Sequence, residues 1–186
     1  MIGISSPWDG TLIDLRLDKG IARKVFRFSR PSSVAVSPDS RFAYFETDPT
    51  GFFDAATLGC IDITTGRRVW WIKEGLTSDG VGAIACASGG RRVVASRKSD
   101  IHVWETADGS AKAYIADAHG GWVRSIVPLG DGTAVITSGD DGAMRVWDLD
   151  TLRELSAYQI EEVANRQVKW SVETRDGVKD GTTPID

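Results

Sequence analysis

The residues whose types could carry chemistry are two histidines, His102 and His119, two adjacent carboxylates, Asp140 and Asp141, and two cysteines, Cys60 and Cys86. A histidine beside a carboxylate can move a proton, several such side chains together can hold a metal, and an activated thiol can attack a carbonyl. The spacing speaks against each use. His102 sits inside the strand-like run IHVW and His119 in the polar connection AHGG, so they belong to different kinds of element. Asp140 and Asp141 are neighbours in a tight turn, where two carboxylates seldom converge on one substrate, and turn formation accounts for them better. The cysteines lie in LGCID and AIACAS without a CxxC spacing, which suits buried thiols in a reducing compartment and gives no disulfide or metal clip. GDGTAV and SGGRR are glycine-rich, but each joins two apolar runs and lacks the strand-to-helix context of a phosphate loop. No Gly-x-Ser-x-Gly nucleophile elbow occurs either. Neither a catalytic constellation nor a cofactor or metal site is expected.

The bulk properties narrow the partners. The 186 residues carry 41% hydrophobic and 26% charged side chains, ordinary values for a globular protein. A net charge of −4 supplies no basic field to displace counterions from nucleic acid, and it disfavours an anionic membrane for the same reason. The opening MIGISSPWDG has neither a basic start nor a sustained apolar stretch, and no later segment has the length of a membrane span. The expectation is a soluble, cytoplasmic chain.

The elements that must position these residues repeat. SSPWDGTLIDLRLDKG (5–20) aligns without a gap on TSGDDGAMRVWDLDTL (137–152), and the same frame recurs at LGCIDITTG (58–66) and SDIHVWETADG (99–109). Leu15, Ile61, Trp104 and Trp147 then fall in equivalent places, at steps of 46, 43 and 43 residues. That period belongs to propeller blades. Upstream of three of these places lies a further hairpin, SVAVSPDSRFAYFE, AIACASGGRRVVAS or VRSIVPLGDGTAVITS, and downstream a fourth run, VWWI, AKAYI or ELSAY. Each unit is a four-stranded antiparallel meander, and the units divide as 1–28 (strands two to four), 29–72, 73–115 and 116–160. Residues 47–58, TDPTGFFDAATL, are an insertion between strands two and three. VKWSVETRDG (168–177) has the pattern of a first strand, so Val168–Val172 is expected to pair with Ile2–Ser5 and share a blade between the termini, with 178–186 as a polar tail. The fold class is all-β, about four blades' worth of propeller, as a small ring or an arc whose open apolar faces would self-associate.

Residues 118–151 closely resemble a WD repeat: His119, the Asp131-Gly132 turn, the Ser-Gly-Asp-Asp-Gly segment at 138–142, and Trp147-Asp148. The resemblance fades outward through Trp104-Glu105 and Ile61-Asp62 to Leu15-Arg16. It implies a hydrogen-bonded set of His119, Thr137, Asp141 and Trp147 across one blade, incomplete in the third unit, where Lys98 stands in the Asp place. A weaker similarity links CIDITTGRRVWWI (60–72), through Asp62, Thr65, Gly66 and Trp70, to quinoprotein-dehydrogenase-like propellers, whose shape serves enzymes and assembly scaffolds alike. The family resemblance implies a non-enzymatic scaffold for protein partners, gripped at the rim where Trp8, Trp122, Arg124 and Asp140 fall. A fragment of a propeller enzyme is the alternative. Arg91, Arg92, Arg97 and Lys98 form a local basic cluster, expected to be a solvated strand edge.

Overall fold

The computed structural model describes residues 2–5, 9–16, 21–29, 33–47, 57–72, 82–163, 167–174 and 177–184. They form four antiparallel sheets. The first contains β1 (Ile2–Ser5), β2 (Asp9–Arg16) and β3 (Ile21–Ser29). The second contains β4 (Val34–Val36), β5 (Phe42–Thr47), β6 (Thr57–Asp62) and β7 (Arg67–Ile72). The third contains β8 (Ile84–Ala87), β9 (Arg92–Arg97), β10 (Asp100–Glu105) and β11 (Ala111–Ile115). The fourth runs through β12 (Val123–Leu129), β13 (Ala134–Gly139), β14 (Ala143–Asp148) and β15 (Glu154–Val163) into β16 (Gln167–Thr174) and β17 (Gly177–Pro184). Within each sheet, neighbours in space are neighbours in sequence, as the meander pattern predicts. Among the described residues the helical element is one short 3-10 turn, Ser88–Gly90.

The core lies in the seams between sheets, because a strand presents successive side chains to opposite faces. In β10, Ile101 and Val103 join Val123, Ile126, Val135 and Trp147 of the fourth sheet. Trp104 points the other way and packs with Tyr44, Leu58 and Cys60 of the second. Both faces of the third sheet are therefore buried, which explains why IACA and VVAS read as unbroken apolar runs. Between the first and second sheets Phe45, Ile61 and Ile63 are buried, with Val25 of β3 packed against them.

The repeat is visible in backbone detail. Ile63 N donates to Arg41 O at 2.7 Å, Thr106 N to Arg91 O at 2.9 Å and Leu149 N to Thr133 O at 2.9 Å. In the second, third and fourth sheets the third-to-fourth-strand pair slips register at the same place, between Cys60/Ile61, Val103/Trp104 and Val146/Trp147, whereas in the first sheet the slip falls earlier, between Leu12/Ile13. Phe42, Arg92 and Ala134 consequently occupy one equivalent position, opposite Asp62, Glu105 and Asp148. The β12–β13 turn needs glycine at 132 on two counts. Its φ is +80°, and a Cβ there would lie 2.5 Å from Ser88 N of the neighbouring sheet.

Two expectations for the C-terminal region are overturned. Val168–Val172 does not pair with Ile2–Ser5; β16 pairs antiparallel with β15, from Ala157↔Glu173 to Val163↔Gln167. A hairpin partner three residues away costs far less closure entropy than one at the other end of the chain, and the long β15 provides the template. Most of the expected polar tail is strand β17, paired with β16 from Gln167↔Pro184 to Thr174↔Gly177. Its proline sits at the last position of an edge strand, where a missing N–H is tolerated. Most of the 47–58 insertion, 48–56, lies outside the described residues; Leu58 is fully buried in β6.

Candidate functional site

Strand order brings His119, Thr137, Asp141 and Trp147 together in the fourth sheet. His119 lies in the connection entering β12, Thr137 in β13, Asp141 in the β13–β14 turn and Trp147 in β14. The His119 Nδ1 is 2.9 Å from Asp141 Oδ1, and its Nε2 is 2.7 Å from Thr137 Oγ1. The Trp147 indole N–H donates to the same Thr137 oxygen at 3.0 Å. With the proton on Nδ1, one directed chain satisfies every group: indole N–H to hydroxyl, hydroxyl to Nε2, Nδ1–H to carboxylate. The remaining carboxylate valences accept Gly120 N at 2.9 Å and Ala143 N at 3.1 Å. His119 and Thr137 are buried, at 2% and 1% exposure, so an unfilled valence there would go unsolvated.

Burial alone would raise the Asp141 carboxyl. The hydrogen bonds from His119, Gly120 and Ala143 more than reverse it and hold the group well below the usual carboxylate range. Gly139 makes the approach possible, since a Cβ there would sit 2.6 Å from His119 Nδ1. With no solvent path to His119, the arrangement fixes strand register and offers no base to a substrate. The second and third sheets lack it. The position equivalent to Thr137 is Ala95 in the third, opposite His102, and Phe45 in the second.

Trp122, Arg124 and Asp140 meet at the same end of the strands. Arg124 forms a two-pronged ion pair with Asp140, Nε to Oδ1 at 2.7 Å and Nη2 to Oδ2 at 2.6 Å. Its guanidinium lies 5.3 Å from the Trp122 ring centroid, and Asp140 N donates to Trp122 O at 2.9 Å. Trp122 is 39% exposed. The two adjacent aspartates thus diverge, Asp141 inward to His119 and Asp140 outward to Arg124, as a turn requires and a shared acid/base site does not. Trp8 lies outside the described residues.

His102 is half-buried between Trp104, stacked at 5.6 Å, and Tyr114 at 4.7 Å; burial, then the nearby Arg97, keep its imidazole below the ordinary value. Burial pushes the free thiols up, Cys60 to about 12 and Cys86 to about 11, far from nucleophilic poise. The solvated-edge expectation fails for two members of the basic cluster. Arg97 is 7% exposed, and Arg92 crosses a seam to donate to Leu149 O at 3.1 Å and to the Asp150 carboxylate at 2.6 Å. Sequence reasoning also missed Arg145, which bonds Glu154 at 3.0 Å beside Asp141, and Gln159, whose amide donates to Asp141 O at 2.9 Å. No motif marks either residue; their alternation within β14 and β15 is the signal that was present.

With this geometry in view, comparison with known families finds that the description "WD domain, G-beta repeat" matches residues 111–148. This stretch carries the WD-repeat pattern. The matched WD repeat runs from β11 to β14, so it begins with the outer strand of one sheet and ends with the third strand of the next, straddling a seam. Over 65 residues the chain is 34% identical to the nuclear distribution protein PAC1 of Arthroderma otae, covering 35% of this chain and 14% of that one. The corresponding protein of Arthroderma benhamiae is 32% identical over 65 residues. Over 53 residues the chain is 47% identical to the ribosome biogenesis protein erb1 of Botryotinia fuckeliana, 28% of this chain and 7% of that one. The alignments thus span a small fraction of these relatives' lengths. Among the described residues no helix is long and apolar enough to cross a membrane.

Proposed function

We propose that this chain is a non-enzymatic, cytoplasmic WD-repeat scaffold that holds a protein partner at the end of the strands where Trp122, Arg124 and Asp140 meet. One observation carries the reading: an exposed tryptophan is fixed in place by an arginine that is itself locked to a carboxylate. Tryptophan and arginine dominate interface hot spots, and a side chain already held in its binding geometry loses little entropy on association. The network through His119 lies directly beneath, since Asp141 follows Asp140 in the turn, and it supplies a stiff base for the patch. The names of the relatives describe processes, nuclear distribution and ribosome biogenesis, and not a reaction, which agrees with binding without turnover. The reading needs no cofactor, nucleic acid or membrane.

The enzyme alternative finds no support in the described side chains: His119 is sealed, His102 is packed between aromatics and both thiols are held protonated. Quantitative affinity capture with Trp122→Ala and Arg124→Ala beside the native chain tests the scaffold reading. The expected result is loss of one defined set of partners from both variants with unchanged thermal melts. Identical partner sets from all three proteins would refute it.

A further inference from the structure

At the opposite end of the strands, in the seam between the second and third sheets, lies a cavity of about 240 Å³ lined by Asp39, Phe42, Tyr44, Gly90, Thr106 and Ala107 among others. The next seam shows how the fold fills this place from its own side chains. Register makes Phe42 equivalent to Arg92, and Thr106 and Ala107 equivalent to Leu149 and Asp150. Between the third and fourth sheets the Arg92 guanidinium occupies the gap, bonded to Leu149 O and the Asp150 carboxylate. Between the second and third, Phe42 has no donor, Ala107 has no charge, and Thr106 O is taken by the Trp70 indole at 2.7 Å.

The missing cation leaves an anion behind. Asp39, where the third sheet has Gly89, faces the cavity from the β4–β5 turn. Its Oδ1 accepts Arg41 N at 3.0 Å and the Ser37 hydroxyl, and it belongs to none of the ion pairs among the described residues. Those hydrogen bonds, the Ser37 hydroxyl first, hold the carboxyl below its ordinary range. The nearest cation, Arg41, is turned to Asp62 at 3.2 Å and to the Phe42 ring at 4.9 Å. The site therefore combines two aromatic rings, a fixed carboxylate and an unfilled volume the size of one long side chain.

We propose that this cavity receives an arginine side chain presented by a partner polypeptide, its stem against Phe42 and Tyr44 and its guanidinium on the Asp39 carboxylate. A planar fork suits a carboxylate and an aromatic face together, which an ammonium does less well. The surface is separate from the Trp122 patch and reads a different feature of a partner. A synthetic peptide supplies the test, so its outcome does not depend on the partner sought above.

The blocked tripeptide Gly-Arg-Gly is titrated into the full chain, with amide resonances followed residue by residue, and the same tripeptide with neutral citrulline in place of arginine serves as control. The expected result is saturable shifts at Gly89, Gly90, Thr106 and Ala107 at millimolar peptide and none with citrulline. Asp39→Asn, which keeps the turn acceptor and loses the charge, weakens binding roughly 10-fold or more. The double variant Phe42→Arg/Ala107→Asp rebuilds the neighbouring seam and abolishes binding, whereas Trp122→Ala leaves it unchanged. Equal shifts from the citrulline peptide, shifts confined to other residues, or none at about 10 mM would overturn the proposal. The citrulline comparison on the native chain decides the matter even if a variant fails to fold.

Discussion

Thr137 is the residue on which the buried network turns, because one hydroxyl serves both the Trp147 indole and the His119 ring. Thr137→Val keeps the shape and removes both bonds, leaving two buried nitrogens without partners, for an expected loss of about 2–4 kcal/mol in urea denaturation. A loss below about 0.5 kcal/mol would mean that the chain of hydrogen bonds contributes nothing to stability. Asp141 sets the acid behaviour of the same group. Its pKa is depressed on folding, so its stabilisation is complete above the unfolded value of about 4 and is lost as pH falls further, towards the folded value. Unfolding measured at a series of pH values should therefore show stability declining with acid below about pH 4, with a shallower decline in Asp141→Asn. Parallel curves would assign the acid sensitivity to other carboxylates. The members of this set were legible in the sequence because His119, Thr137, Asp141 and Trp147 match the residues that the WD-repeat resemblance implies.

At the scale of strands and turns, legibility depended on distance along the chain. The meanders were readable because their alternation and turn residues are local, and the equivalence of Ile61, Trp104 and Trp147 survives in the shared register slip before each. Arg92 was misjudged because its partners, Leu149 and Asp150, are 57 and 58 residues away, and nothing in RRVVAS points to them. The β15–β16 pairing was missed for the reverse reason: a repeat pattern was followed where a plain hairpin was the nearer solution. Within an element, Gly132 tests how tightly adjacent turns interlock. Gly132→Ala places a methyl against Ser88 N at an unfavourable φ and should cost about 2 kcal/mol or more, with faster hydrogen exchange at the Ser88 amide. Unchanged exchange there would mean that the two turns are not mechanically joined.

For the whole molecule, the fourth sheet packs one face on the third sheet, and among the described residues its other face carries exposed apolar side chains. On its inner strand Val127 is 49% exposed and Leu129 38%, whereas Val123 and Ile126 are buried against the third sheet. Light scattering over a range of concentrations is expected to give a mass that rises above one chain of 20.1 kDa, and Val127→Lys should lower it. A monomer at every concentration would mean that the chain covers this face itself. The seams also differ from one another. The third and fourth sheets are tied by Ser88 N and Oγ to Gly132 O, by Ser96 Oγ to Val123 O, by Val123 N to Lys98 O and by the two reaches of Arg92. The second and third share the Trp70 bond and an unfilled cavity. Units that touch only their neighbours come apart at the weakest junction. Heating should thus dismantle this molecule in stages, and a protease acting on the half-melted chain would leave behind a stub spanning about residues 82–184, the last pair of sheets to let go.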